Sequence, residues 1–410
     1  MDIKITPSVL SGTAEAPASK SVAHRMLICA ALAGGKSRIK INKTSEDIEA
    51  TASCLASLGV KIEKDGATWT VTPPDAFPKE ATLDCGESGS TLRFMLPVVS
   101  ALGITATLTG HGRLPERPIA PLLDEMKKHG ISCGDGFPIK VSGRLTGGKY
   151  KIAGNISSQF ITGLLLALPL CDGESVIEVI PPVESKPYID ITTSVLADFG
   201  VKVKESGNIY TVSEALPVGG AFIAEGDWSN AAFLLALGAR VSGLNPYSVQ
   251  GDRKILDVLT SFGAKIKNEN GTIQADISDL HSTDVDASDI PDLVPVISAL
   301  AASADGETKI YNAARLRLKE SDRIETTVQM VNSLGGEAAA TQDGLIIKGK
   351  PQLAGGTVDG CGDHRIVMSA AVMAPKCENP VVITGAQAVN KSYPEFFNEY
   401  TSLGGKINVL

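Results

Sequence analysis

At 410 residues the chain is too long for one ordinary core, and with 43% hydrophobic and 20% charged residues it is too apolar for a disordered or fibrous protein, so two domains of about 200 residues each are expected. A formal charge of −8 with only 5% aromatic residues excludes an extended nucleic-acid surface, although a cleft can focus local positive charge on a small anion. The cysteines, Cys29, Cys54, Cys85, Cys133, Cys171, Cys361 and Cys377, are odd in number and contain no Cys-x-x-Cys pair, which speaks against a zinc or dithiol motif and fits a reducing compartment.

The chain opens on Ile3-Lys4-Ile5, an alternation that predicts a strand and lacks the plan of a signal or transit peptide, so cytoplasmic residence is expected. A helical pattern over Asp47 to Leu58 then ends at Gly59, and a pair of short strands follows over Lys61 to Thr72. This passage recurs. Apolar helix ends followed by glycine appear at Gly59, Gly130, Gly200, Gly263, Gly335 and Gly404, and each glycine suits the left-handed position that stops a helix. Further examples of the helix and strand patterns are Ile255 to Phe262 and Lys202 to Val212. A second helix in each unit begins at Ser19-Lys20-Ser21, Ser88-Gly89-Ser90, Ser157-Ser158-Gln159, Asp227-Trp228-Ser229-Asn230, Asp289-Ile290-Pro291-Asp292 or Asp363-His364-Arg365, where Ser and Asp serve as N-caps. Apolar runs such as Phe160 to Leu170 and Val294 to Ala302 are too short for the ~20 residues of a membrane span.

The expected fold class is therefore α/β (α+β), with two domains, each of three strand-helix-strand-helix-strand-strand repeats about a pseudo-threefold axis. The first lobe would run over 14–222 and the second over 1–13 and 223–410, with the initial strand completing the last repeat. Such symmetry gathers three helix N-termini toward one pole of each lobe. A helix N-terminus holds phosphate or carboxylate through its unpaired N–H groups and partial positive charge. Here those heads add Lys20, Ser21 and Arg25, then Gly89, Ser90 and Arg93, then Ser157, Ser158 and Gln159, and more cations stand at Arg113, Arg117, Lys319, Arg323 and Arg365. Lys319 and Arg323, four residues apart, are expected on one helix face. Lys20, Asp292, Glu320 and His364 are the candidate proton-transfer groups. Each, taken alone, also reads as a cap or a solvated charge, and the repetition favours function. Gly34-Gly35-Lys36-Ser37 lacks the earlier glycine and preceding strand of a phosphate loop, and five histidines without ligand spacing predict no metal site.

The segments PASKSVAHR, CGESGSTLR, LPERPI, SSQFITGLLLA, ESKPYIDIT, EGDWSNAA, IPDLVP, LRLKESDRI, GDHRIVM and NKSYPEFF, spread over residues 17–397, resemble in order and spacing those of 5-enolpyruvylshikimate-3-phosphate synthases. The resemblance implies the same six-repeat, two-lobe fold. It also implies that Lys20, Ser21, Arg25, Ser157, Ser158, Ser185, Tyr188, Asp292 and Lys319 bind shikimate 3-phosphate, and that Lys20, Gly89, Arg117, Gln159, Arg323, Arg365 and Lys391 bind phosphoenolpyruvate. The catalytic set would be Lys20, Asp292, Glu320 and His364, with no cofactor, no metal, no nucleic-acid or membrane partner, and a monomer as the acting form. Domain closure on the first substrate is expected. His24, Arg315 and the Glu87-Ser88 pair depart from the family's commonest pattern.

Two other readings compete. A related enolpyruvyl transferase acting on a UDP-aminosugar shares the fold, but it would carry a reactive cysteine in the loop that here reads Arg113 to Pro118 without one. A non-catalytic anion-binding repeat protein would need the helix-head cations but not Asp292, Glu320 and His364.

Overall fold

Six four-stranded sheets share one strand order. In the computed structural model, which describes every residue except Asp135, the strand Glu80–Asp84 runs parallel to Thr105–Thr109. The latter pairs antiparallel with Ile139–Gly143, which carries Ile131–Cys133 at the edge. Lys149–Ala153, Glu174–Ile180, Ile209–Ser213 and Val203–Ser206 repeat this arrangement. So do Val285–Asp286, Glu307–Tyr311, Leu345–Lys348 and Glu337–Ala340. A parallel pair needs a crossover, and the helix between its strands supplies one.

In the remaining sheets the repeat is kept by strands distant in sequence. Ile3–Thr6 takes the third place in the last sheet, antiparallel to both Val381–Thr384 and Lys406–Val409, as the sequence pattern predicts. Thr13–Glu15, which precedes the helix Lys20–Leu32, pairs with Arg240–Ser242. Ala221–Ile223, which precedes the helix Trp228–Ala236, pairs with Ser37–Lys40. The chain accordingly divides into Ala18–Ala224, here the N-unit, and Met1–Pro17 with Glu225–Leu410, here the C-unit. Ala14 and Glu15 thus lie with the C-unit, and residues 223 and 224 with the N-unit, because the ladder hydrogen bonds of those two exchanged strands carry them there.

All six marker glycines have positive φ, from 80° at Gly200 to 99° at Gly404, a conformation that side chains strain to adopt. Five of the six expected N-caps form. Ser19, Ser88, Ser157, Asp227 and Asp363 accept from the backbone N–H of Val22, Thr91, Gln159, Asn230 and Arg365. The fifth head differs from the expectation. Pro291–Leu293 forms a 3-10 turn ahead of the helix Val294–Ala301, with no side-chain cap, and Asp289 instead accepts from Lys254 at 3.0 Å. Lys319 and Arg323 do not share a helix either, since Lys319 follows the 3-10 turn Ala314–Leu318 and Arg323 begins the helix Arg323–Ser333.

Each unit has its own core. In the N-unit the helices Lys20–Leu32, Gly89–Ala101 and Ser158–Ala167 are buried nearly all round, whereas Glu46–Ser57 buries one face, that of Ile48, Thr51, Ala52 and Leu55. No helix among the described residues is long and apolar enough to cross a membrane.

The close approach of Gly89–Ala101 and Ser158–Ala167 in that core has a local cause. Pro97 has no N–H to donate to the Arg93 carbonyl one turn back, and Gly163 of the next helix packs against that freed oxygen. A methyl group on Gly163 would stand 2.2 Å from the Arg93 oxygen and 3.1 Å from the Pro97 ring. Gly163→Ala is expected to destabilise the N-unit by about 1–3 kcal/mol, the scale of core overpacking, read as a lower urea midpoint with unchanged secondary structure.

Candidate active site

In the N-unit the sequence-predicted residues gather at the heads of three buried helices. Lys20 opens the first and pairs with Asp47 at 2.8 Å. Arg25, one turn on, is buried. Its Nε donates to Thr192 Oγ1 at 2.7 Å, its Nη1 to the Ser21 carbonyl at 2.5 Å, and its Nη2 to Thr162 Oγ1 at 3.2 Å and the Tyr188 carbonyl at 2.9 Å. The guanidinium also lies over the Phe94 ring, 4.9 Å from its centre. Every hydrogen-bond partner is neutral. Burial pushes Arg25 down to about 9, which leaves it charged at neutral pH.

The second and third heads are tied together. Gln159 donates through Nε2 to Ser90 Oγ at 2.8 Å and accepts at Oε1 from Arg93 Nη1 at 2.7 Å. Arg93 Nη2 donates in turn to the Pro118 carbonyl at 2.8 Å, fixing the loop that carries Arg117. The guanidinium of Arg117 rests against Gly89, where an added methyl would come within 2.6 Å of it, so the missing side chain makes room for the cation. Ser157 caps its helix, Ser158 is buried beside it, and Ser185 is buried at the head of Lys186–Asp198 with φ of 55°, a strained conformation of the kind that clusters at functional sites. Ser21 and Tyr188 enter through their carbonyls.

His24 is fully buried behind this surface. Its Nδ1 lies 2.6 Å from Thr51 Oγ1, which lies 2.7 Å from Thr91 Oγ1, and Thr91 donates to the capping Ser88 Oγ at 2.9 Å. The chain of hydroxyls thus links His24 to the Gly89 turn. Burial first, then the charges of Lys20 and Arg25, hold the imidazole well below its ordinary value, so it is neutral.

The C-unit arranges its groups around one carboxylate and one guanidinium. Asp292 Oδ1 accepts from Arg323 Nη1 at 2.8 Å and from Lys319 Nζ at 3.4 Å, and its Oδ2 accepts from Arg365 Nη2 at 2.9 Å. Lys319 and Arg323 therefore meet at Asp292 although no helix places them on a common face. Arg323, 1% exposed, also donates from Nη2 to Glu320 Oε2 at 2.6 Å and from Nε to Asp363 Oδ2 at 2.8 Å. Burial pulls its pKa down, but Asp363, Glu320 and Asp292 outweigh that and raise it overall. Burial outweighs Asp292 at Lys319, whose ammonium is pushed down to about 8.

Asp363 does double duty, capping its helix while accepting from Ser321 Oγ at 3.0 Å. His364 is buried in the first turn of that helix, its Nδ1 4.0 Å from Asp363 Oδ1. Lys391 Nζ donates to the Gly362 carbonyl at 2.6 Å and so lies over the same helix head. Arg315 donates from Nη2 to the Ser288 carbonyl.

Several participants escape the sequence reading. Asp47, the partner of Lys20, looks in sequence like any acid in a first helical turn. Arg93 is visible at a helix head, but its grip on Gln159 and Pro118 is tertiary. Asp252 carries no signal beyond a carboxylate between Gly251 and Arg253.

Together these features define a repeat-built α/β protein with a buried cation among neutral groups in one unit and carboxylates interleaved with cations in the other. The profile of the EPSP synthase family, 3-phosphoshikimate 1-carboxyvinyltransferase, matches residues 5–400. A 3-phosphoshikimate 1-carboxyvinyltransferase of Clostridium kluyveri is 42% identical, covering 99% of this chain and 98% of the relative, and one of Clostridium novyi is 39% identical with the same coverage. A 2.37 Å structure of EPSP synthase from Acinetobacter baumannii superposes with a TM-score of 0.83 at 26% identity over the whole of both chains. The chain belongs to the EPSP synthase family.

A histidine that is neutral when buried takes up its proton first in the unfolded chain, so the stability it supports is present above about 6.5 and is lost as pH falls below that value. His24→Asn, which cannot titrate, is expected to lose stability less steeply than the wild type between pH 6.5 and 5, as measured by urea midpoints across that range.

Proposed function

We propose that this protein transfers the enolpyruvyl group of phosphoenolpyruvate to the 5-hydroxyl of shikimate 3-phosphate and releases phosphate, acting as a cytoplasmic monomer without metal or cofactor. The observation that carries the reading is the division of charge. The N-unit holds the buried Arg25 cation among neutral groups, which suits an incoming anion, while the C-unit holds carboxylates among its cations, which suits proton transfer.

Shikimate 3-phosphate is assigned to Lys20, Ser21, Arg25, Ser157, Ser158, Ser185, Tyr188, Asp292 and Lys319, and phosphoenolpyruvate to Lys20, Gly89, Arg117, Gln159, Arg323, Arg365 and Lys391. The 5-hydroxyl oxygen bonds to C2 of the enolpyruvate as its proton leaves and C3 gains one, giving a tetrahedral ketal. The C2–O bond to phosphate then breaks while C3 returns a proton. Asp292 takes or orients the hydroxyl proton. Its oxygens are engaged by Lys319, Arg323 and Arg365, so a substrate anion that draws off one of these cations frees an oxygen for that task. Glu320 handles the C3 proton, His364 lies with the acid-base set, and Lys20, once drawn from Asp47 by phosphate, assists its departure.

In a coupled phosphate-release assay, wild-type protein is expected to turn over phosphoenolpyruvate with shikimate 3-phosphate equally well with and without a chelator. Glu320→Ala and Lys20→Met should each lower kcat by roughly 10²-fold or more, the scale of a lost proton-transfer group. Substrate binding without turnover in the wild type would instead favour a scaffold, and activity on a UDP-aminosugar alone would favour the related transferase.

A further inference from the structure

Asp252 is a buried carboxyl that the reaction above does not use. It lies in the 3-10 turn Gly251–Lys254, is 3% exposed, and accepts at Oδ2 a short hydrogen bond from Ser229 Oγ, at the second position of the helix Trp228–Ala236. Its other oxygen is buried with no hydrogen-bond partner among the described residues. The neighbours on its own turn point elsewhere, Arg253 to the Pro246 carbonyl at 3.0 Å and Lys254 to Asp289 at 3.0 Å.

Three surrounding elements set charged or polar groups against it. Asp227 and Ser229 come from the head of Trp228–Ala236, Asp292 from the Pro291–Leu293 turn, and Arg365 from the head of His364–Met373. The cluster linked through Asp292 and Arg323 already sets Asp292, Glu320 and Asp363 against Lys319, Arg323 and Arg365, three charges of each sign. A further ionised carboxyl would tip this balance negative at the place where Arg365 is to meet an anion. A proton on Asp252 keeps it even.

We propose that Asp252 is a positioning residue that carries a proton whenever an anion occupies Arg365, and so sets the pH range over which the C-unit accepts phosphoenolpyruvate. The inference rests on the reading that Arg365 binds that substrate. Burial, followed by the charge of Asp292, raises the Asp252 carboxyl to about 7, while Arg365 and the Ser229 hydroxyl pull it down. It is therefore protonated below that pH and ionised above it. Loss of the Ser229 hydroxyl removes a bond that favours the charged form, so Ser229→Ala moves the transition to higher pH and Asp252→Asn abolishes it.

The test is the KM for phosphoenolpyruvate from pH 6 to 8.5 in wild type, Asp252→Asn and Ser229→Ala, with carboxyl-carbon NMR of the ligand-free proteins labelled at aspartate. The ionisation of the substrate is common to all three and cancels in the comparison. Expected are closely similar KM values for wild type and Asp252→Asn at pH 6, a wild-type value roughly thirtyfold higher than that of the variant at pH 8.5, and an aspartate resonance titrating near neutrality that Asp252→Asn lacks. A variant whose KM follows the wild type at every pH, or no aspartate titrating between pH 6 and 8, overturns the proposal. If the wild type itself does not turn over, the functional reading fails. The NMR titration then decides the proposal together with calorimetric binding of inorganic phosphate: a pH dependence steeper in wild type than in Asp252→Asn supports it, and identical dependences sink it.

Discussion

Burying a guanidinium is the constraint on which both halves of this protein are built. Taken out of water without a partner, a charge is strongly destabilising, so a buried arginine needs either carboxylates or a dense set of dipoles around it. The C-unit takes the first course at Arg323, which binds Asp292, Glu320 and Asp363. The N-unit takes the second at Arg25, bound by two threonine hydroxyls and two carbonyls. The difference has a chemical consequence. Carboxylates neutralise a charge and bring proton acceptors with them, whereas dipoles leave the charge in place to attract an anion.

The repeat delivers these groups by returning a helix head to an equivalent place six times. At most heads a Ser or Asp caps the helix, as at Ser19 and Asp227. The fifth head lacks a cap, and its Asp292 sits in the 3-10 turn with both oxygens facing cations. The sixth combines the roles, since Asp363 caps Arg365 and at the same time binds Arg323. Departures from the local rule thus fall where chemistry is expected, as they do when a fold gives up local regularity for a site.

The fold was legible because its signals are local. A glycine that must adopt positive φ, a cap residue and an alternating strand each act within a few residues, and six copies reinforced one another. The exchange of Thr13–Glu15 and Ala221–Ile223 was less so, because which sheet a three-residue strand joins depends on distant partners. The site divides similarly. Cations at helix heads could be read directly, but Asp252 and Asp47 matter only through what folding places near them. The i, i+4 spacing of Lys319 and Arg323 suggests a shared helix face, but a shared carboxylate unites them instead, a partner that lies about thirty residues away in sequence and that local spacing does not report. His24 likewise shows its role only after folding, where it anchors a run of hydroxyls leading to the Gly89 turn.

Packing and site geometry are coupled most directly at Arg93. Its carbonyl, released by Pro97, meets Gly163, and its side chain binds Gln159, four residues earlier on the same face of the same helix. The backbone contact sets how closely the two helices approach, and the side-chain contact sets how Gln159 is turned toward Ser90. Through Pro118 the same guanidinium fixes the loop that lays Arg117 against Gly89. One residue therefore registers core spacing, the Gln159 amide and the Arg117 cation together. A change of a few tenths of an ångström in the core reaches all three, because a close-packed interior transmits displacement and has no slack to absorb it.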